Sequence, residues 1–338
     1  MSVTLTWEGP VGPGCFPDDP LVFDRLCEAG VYLRVKSYDG GRLVAYAGQS
    51  VALRARFDQH LSAMLALANN LQAMRRCGEA ADYYARALRA LPDDPLVWSS
   101  HLMNLPYLPM TNADRVLAEH QRYAGLLEHG VTAREDVAVK SGNRPLRVGY
   151  FAAYYRNHPA GWLSEAAIAA HDPKRVELFF YINNRSADGA LDRLAPGISA
   201  IRDISACDDD MAARLILEHD LDLLIDLSGH TRDNRLGVLA RKPAPVIASW
   251  PVSYWNTTGL RAVDWLIGDP LLTPPEAAAT VVEKIARLPD ASVCYRPPAD
   301  APAVGALPMT ACGYGTFGCF NRLAQVDNGV MAVWSDIL

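Results

Sequence analysis

From residue 145 onward, short, largely apolar runs alternate with amphipathic stretches of helical period. The runs at 146–151, 176–182, 221–227, 246–250 and 265–267 read as strands, and the stretches at 160–170, 208–219 and 234–241 read as helices. Strands that are apolar at every position lie inside a sheet covered on both faces, and strands that alternate with helices pair in parallel. The pattern therefore predicts an α/β fold, a Rossmann-like doubly wound parallel sheet, over residues 145–310. Ligands of such sheets sit beyond the carboxyl ends of the strands. Two polar clusters fall there: Asn157-His158-Pro159 after the first run, and Asp226, Ser228, His230 and Thr231 around Gly229 after the third.

The preceding residues follow other rules. Residues 1–62 read as a small α/β unit, with β-rich runs at 31–36 and 43–47 around the turn Asp39-Gly40-Gly41. A helix follows, with Leu53, Phe57, Leu61 and Met64 on one face. Residues 63–97 read as two helices broken near Cys77-Gly78, the second stopped by Pro92 and Pro95. Residues 98–144 read as a helical linker with a helix at 112–127. Past residue 310 the pattern predicts a strand at 316–320, a turn and a helix from Asp327, so that 311–338 reads as the start of a second, truncated α/β unit.

Composition narrows the classes. The chain has 338 residues, 50% hydrophobic and 21% charged, which is a globular balance, and its net charge of -6 gives no basic field for bulk nucleic-acid binding. Seven cysteines are scattered without a CxxC pair, so neither a disulfide framework nor a zinc site is indicated and a reduced compartment fits. The first residues lack the basic and apolar segments of a signal peptide. No apolar run approaches the ~18 residues that span a bilayer. The expectation is a cytoplasmic protein without membrane contact.

The candidate chemistry starts from His158. It precedes a proline suited to the first position of a helix, which places its imidazole at a helix N-terminus facing the crevice. Asp226 by itself reads as a turn acceptor for backbone amides. With His230 across Gly229, it could instead relay a proton or bind an acceptor. Thr257, Thr258 and Gly259 offer hydroxyls and a close backbone approach. Glu283-Lys284 reads as a solvated loop pair.

Several ordered motifs carry a resemblance: LRVGY at 146–150, NHP at 157–159, DLSGHTRDNRLGVLARKPAP at 226–245, NTTGL and VDWLIGDP within 256–270, EKIARLP at 283–289, and the segment 320–338. Residues 97–338 resemble the bacterial relatives of the O-linked N-acetylglucosamine transferase, a tetratricopeptide-linked glycosyltransferase family that includes the plant SPINDLY proteins. Residues 65–97 are similar to one tetratricopeptide unit. The resemblance implies two Rossmann-like lobes, of which this chain holds the first and the opening of the second. It implies inverting transfer of N-acetylglucosamine from UDP-N-acetylglucosamine to Ser or Thr of acceptor proteins, with no cofactor. It also implies a need for the second lobe, supplied by a separate polypeptide if not by this chain. His158, Asp226 and His230 would be catalytic, and Asn157, Pro159, Thr231, Thr257, Thr258, Gly259 and Asn321 would bind substrate. Ser253-Tyr254-Trp255 departs from the family's G-Y-P pattern, and Gln325 stands where relatives carry Lys. A non-catalytic interaction protein built on the tetratricopeptide-like unit is the alternative.

A second resemblance covers the N-terminal unit. Gly30-Val31-Tyr32, Tyr46-Ala47-Gly48, Arg56 and His60 follow the order of a GIY-YIG nuclease module. That resemblance implies a nuclease-like site at Tyr32, Tyr46, Arg56 and His60 and a divalent metal if the site is active. The glutamate that would hold the metal has no counterpart before Glu79.

Overall fold

The computed structural model describes residues 30–38, 42–50, 53–108, 111–134, 144–185, 188–252, 256–297, 301–321, 325–326 and 328–337, without the side chains before Leu61 or that of Arg185. The chain divides into two compact units, Met1–Val97 with Arg322–Leu338, and Trp98–Asn321.

In the first unit, strands β1 (Gly30–Tyr38) and β2 (Arg42–Ser50) form an antiparallel hairpin with Gly30 opposite Ser50. Helix α1 (Leu53–Ala73) and helix α2 (Cys77–Ala90) pack through Leu61, Leu65, Ala68, Leu71, Ala80, Tyr84 and Ala87. Alanines let the two backbones approach, and the buried Tyr84 hydroxyl donates to Asn69 Oδ1 at 2.7 Å. The break falls at 74–76, where Arg75 takes φ 67°, directly before Cys77-Gly78, which open α2. Residues 316–320 form no strand and are exposed; a strand needs a neighbour to pair with, and no described strand pairs with this segment. Helix α10 (Asn328–Ile337) follows, as the pattern predicts.

The second unit opens with most of helix α3 (Pro95–Asn104) and with α4 (Ala113–Glu128). Asp94 accepts from the amides of Leu96 and Val97 at 2.9 Å each, capping α3 with Pro95 at its first position. Asn112 caps α4 through Arg115 N at 2.9 Å.

The remainder is a seven-stranded sheet whose pairings are all parallel. Its strands are β3 (Leu146–Tyr155), β4 (Val176–Arg185), β5 (Ala200–Asp203), β6 (Leu223–Asp226), β7 (Val246–Ser249), β8 (Trp265–Gly268) and β9 (Lys284–Arg287), in the order β5-β4-β3-β6-β7-β8-β9. Helices α5 (Pro159–Ala169), α6 (Ala190–Leu194), α7 (Asp209–Leu217) and α8 (Leu236–Ala240) lie in the connections, and the short α9 (Met309–Cys312) follows the sheet. The Rossmann-like class follows from this order.

β3 is buried over six consecutive positions, which is why it reads as a continuous apolar run. The pattern missed β5 and β9. Both are four-residue edge strands, AIRD and KIAR, with charges at their ends and one side open, so they carry little apolar signal. The chain starts at β3, winds out to β5, then returns to β6 on the other side of β3. That reversal opens a crevice between the carboxyl ends of β3 and β6.

Candidate active site at the switch point

The two strand ends that flank the crevice are stitched together. Leu227 N donates to Phe151 O at 2.9 Å, and Ala153 N donates to Ser228 Oγ at 2.7 Å. The Asn157 and Asp226 clusters, separated in sequence by some seventy residues, therefore share one sheet edge.

Beyond β3 the chain turns tightly: His158 N donates to Arg156 O at 2.7 Å. His158 is the N-cap of α5, with extended backbone, and its Nδ1 accepts from Ala160 N at 3.5 Å, the outer limit of a hydrogen bond. Pro159 takes the first helical position. The His158 ring meets Tyr154 edge-on, with centroids 5.5 Å apart, and the Arg156 guanidinium lies 4.5 Å over Tyr154. Gly161 is required here, because an added Cβ would lie 2.4 Å from Arg156 O.

Asn157 is exposed and held from three directions. Its amide donates to Asp188 Oδ2 at 2.6 Å, its Nδ2 to Asp188 O at 3.0 Å, and its Oδ1 accepts from Arg193 at 2.9 Å. Arg193 also forms a two-point ion pair with Glu165. This loop thus places a half-buried imidazole, an amide, a phenol and a guanidinium at the carboxyl end of β3.

The second cluster is built differently. Asp226 is 1% exposed, and its carboxylate accepts from Ser228 N at 3.0 Å, Gly229 N at 2.9 Å and Ser249 Oγ at 3.1 Å. Burial pushes it up to about 6, against the pull of those donors and with the help of the Glu283 charge. Gly229 takes φ 50° to close the turn. Thr231 spends its hydroxyl on Ser228 O at 2.8 Å.

His230 is also 1% exposed and turns inward: its Nε2 donates to Thr258 O at 3.1 Å, and its ring lies edge-on to His120. Burial and the neighbouring imidazole hold it well below the ordinary histidine range. Asp226 and His230 thus belong to separate hydrogen-bond sets, and both are buried rather than projecting from the edge.

Thr257, Thr258 and Gly259 also sit inside. Thr257 Oγ1 donates to Glu283 at 2.6 Å, and Thr258 donates to it from its amide at 2.7 Å and from its hydroxyl. The hydroxyls that read as ligand donors are engaged by a carboxylate that reads as solvated. Glu283 is in fact 5% exposed, and Lys284 begins β9. The flanking Val281 and Val282 were the signal that Glu283 lies in a packed segment. Gly259, at φ 79°, lies against the α4 backbone. Asn321 is exposed.

Sequence reasoning also missed His120, Asp188, Arg193 and Ser249, which matter only through contacts distant in the chain. The side chains of Tyr32, Tyr46, Arg56 and His60, and residues 253–255, lie outside the described residues. Among the described residues no three His, Cys, Asp or Glu side chains converge as a metal-binding group, and no helix is long and apolar enough to cross a membrane.

An open parallel sheet with polar clusters at the carboxyl ends of β3 and β6 defines a Rossmann-like lobe. The model of glycosyl transferase family 41 matches residues 126–294, half of the chain, and the chain belongs to that family. It is 32% identical over 262 residues to a rice protein described as a probable UDP-N-acetylglucosamine--peptide N-acetylglucosaminyltransferase SPINDLY, covering 75% of this chain and 28% of that one. The Arabidopsis thaliana protein of the same description is 35% identical over 204 residues, covering 59% and 22%. A solved structure of the Thermobaculum terrenum O-GlcNAc transferase, a K341M mutant, superposes with a TM-score of 0.76 at 31% identity, covering 82% of this chain and 53% of that one. The chain therefore spans about a quarter of these plant relatives and half of the structural neighbour. The family match begins at residue 126 and leaves the β1–β2 hairpin outside it.

Proposed function

We propose that residues 98–321 form the first lobe of a protein O-glycosyltransferase. It transfers N-acetylglucosamine from UDP-N-acetylglucosamine to Ser or Thr hydroxyls of acceptor proteins, with inversion, and works with a second lobe. The observation that carries this is His158: a half-buried imidazole capping α5 at the switch-point end of β3, in a chain of family 41.

An attacking hydroxyl must lose its proton as the sugar bond forms, so a base has to stand within hydrogen-bond reach of it. His158 is a half-buried imidazole at the carboxyl end of β3, whereas His230 is buried and committed to Thr258. His158 serves as that base or orients the acceptor, and Asn157, pinned by Asp188 and Arg193, sets the loop that carries it. Asp226, Thr257 and Thr258 act through the scaffold. The donor is UDP-N-acetylglucosamine, as in the names of the relatives, and no cofactor enters the chemistry proposed.

Calorimetric titration with UDP and UDP-N-acetylglucosamine, and transfer of labelled sugar to protein, test this for the chain alone and with a second-lobe polypeptide added. His158→Ala should reduce transfer by roughly 10²–10⁴-fold. Undiminished transfer in that variant would remove His158 from the chemistry. Absence of donor binding and transfer in both arrangements would favour the other reading, a protein-interaction module. The packed helical pair α1–α2, tetratricopeptide-like in spacing, supports that alternative.

A further inference from the structure

Two buried imidazoles meet where α4 packs on the site turn. His120 and His230 are 0% and 1% exposed, and their rings lie edge to face with centroids 4.6 Å apart. Each has one nitrogen fixed on a backbone carbonyl: His120 Nδ1 on Val116 O at 2.7 Å, and His230 Nε2 on Thr258 O at 3.1 Å. A carbonyl accepts, so those nitrogens carry the protons. The other two, His120 Nε2 and His230 Nδ1, are buried lone-pair atoms with no hydrogen-bond partner.

The same contact holds α4 to the turn at other points. Gly259 abuts His120 O, and Arg261 donates to Glu128 from its amide at 2.8 Å and from Nε at 2.9 Å.

We propose that the His120–His230 pair is an acid-sensitive latch: it holds α4 on the turn 257–259 while both rings are neutral and releases it when either takes a second proton. A proton arriving on either orphan nitrogen creates a buried N–H donor with no acceptor, beside a second imidazole. The charged groups around the pair do not offset it. On α3 and α4, His101 faces His120, Glu119 lies 3.7 Å from His101, and Arg115 and Arg122 add positive charge there. On the turn side, Glu283 is occupied by Thr257 and Thr258, and Asp226 by Ser228, Gly229 and Ser249. Tyr123 packs on His230 from α4 and stacks on Trp98. Opening lets the proton reach water. Release would free Thr258 O and unseat the turn that Glu283 holds, so the site loosens as α4 leaves.

Linkage sets the size of the effect. Below an open-state histidine value of about 6.5, each proton taken up on opening multiplies the opening constant about tenfold per pH unit. Hydrogen exchange at pH 7, 6 and 5, corrected for intrinsic chemistry, reads this directly. With both rings taking a proton, peptides spanning 113–128 and 256–261 should lose protection about 50- to 100-fold between pH 6 and pH 5, while strands β3 and β6 keep theirs. His120→Asn and His230→Gln each retain a donor near the original carbonyl and cannot take the proton, so each should reduce the dependence to about tenfold per unit. Loss of protection in α4 only together with β3 and β6, or pH-independent protection of α4, would overturn the latch. Should a variant fail to fold, ring titration of the wild-type histidines by NMR decides: both rings titrating near 6.5 in the folded chain would overturn it, and both resisting protonation until 113–128 opens would support it. None of these readouts depends on glycosyl transfer.

Discussion

Gly259 and the carbonyl of His120 lie so close that an added Cβ would sit 2.5 Å from the oxygen. Gly259 also holds φ 79°, where L side chains are strained. Gly259→Ala should therefore cost about 3 kcal/mol, about 1–2 of it from the backbone and the rest from displaced packing. Urea unfolding measures this. An unchanged midpoint would mean that α4 does not rest on the turn in solution.

Glu283 should behave as a structural carboxylate. Glu283→Ala leaves the Thr257 hydroxyl and both Thr258 donors buried without their acceptor, a loss of about 3 kcal/mol. Glu283→Gln keeps one acceptor oxygen and should lose clearly less. Equal midpoints for the two variants in denaturant would contradict the hydrogen-bond account.

Asp226 and the buried histidines should pull stability in opposite directions over the same pH range. Asp226, raised to about 6 in the folded chain from an unfolded value of about 3.9, contributes most below the lower value and loses that contribution as pH rises through 6. His120, pushed down to about 4 by burial, and His230, held well below the ordinary histidine range by burial, work the other way. Their contribution is complete above about 6.5 and is lost as pH falls. For His120 alone the loss approaches about 3 kcal/mol by pH 4. Asp226→Asn removes the opposing titration, so stability should fall more steeply between pH 6.5 and 4 than in the wild type. Urea midpoints across that range give both slopes, and parallel slopes would refute the offset.

The loop carrying His158 should respond to Gly161 and Arg193 in different ways. Gly161→Ala drives a methyl into Arg156 O and should cost about 1–3 kcal/mol while shifting the His158 ring resonances. Arg193→Ala breaks a half-exposed ion pair with Glu165 and should change stability by less than about 1 kcal/mol. Its signature should instead be faster amide exchange at Asn157, whose Oδ1 loses its donor. Unchanged exchange there would show that Asp188 alone holds the loop.

Much of the second unit was legible in the chain. The largely apolar runs of β3, β4, β6, β7 and β8 are the imprint of strands mostly buried within the sheet, and His158 before Pro159 marked a helix start. The helices expected at 112–127 and 208–219 begin at the caps Asn112 and Asp208, each of which acts on an amide three residues away. Such signals act within a few residues, so a linear pattern contains them.

What the sequence by itself determined is therefore the α/β class, the parallel sheet and the placing of two polar clusters at strand ends. Only the tertiary structure decided which of those polar groups face the crevice. Asp226, His230, Thr257 and Thr258 look chemically equal to His158 along the chain, but their partners lie 23 to 28 residues away or within their own turn. Those partners turn them inward. The edge strands β5 and β9, the burial of Glu283 and the meeting of His120 with His230 also depend on contacts between distant segments. Hydrophobic periodicity reports which side of an element is buried; it carries no information on which distant group fills the space beside it.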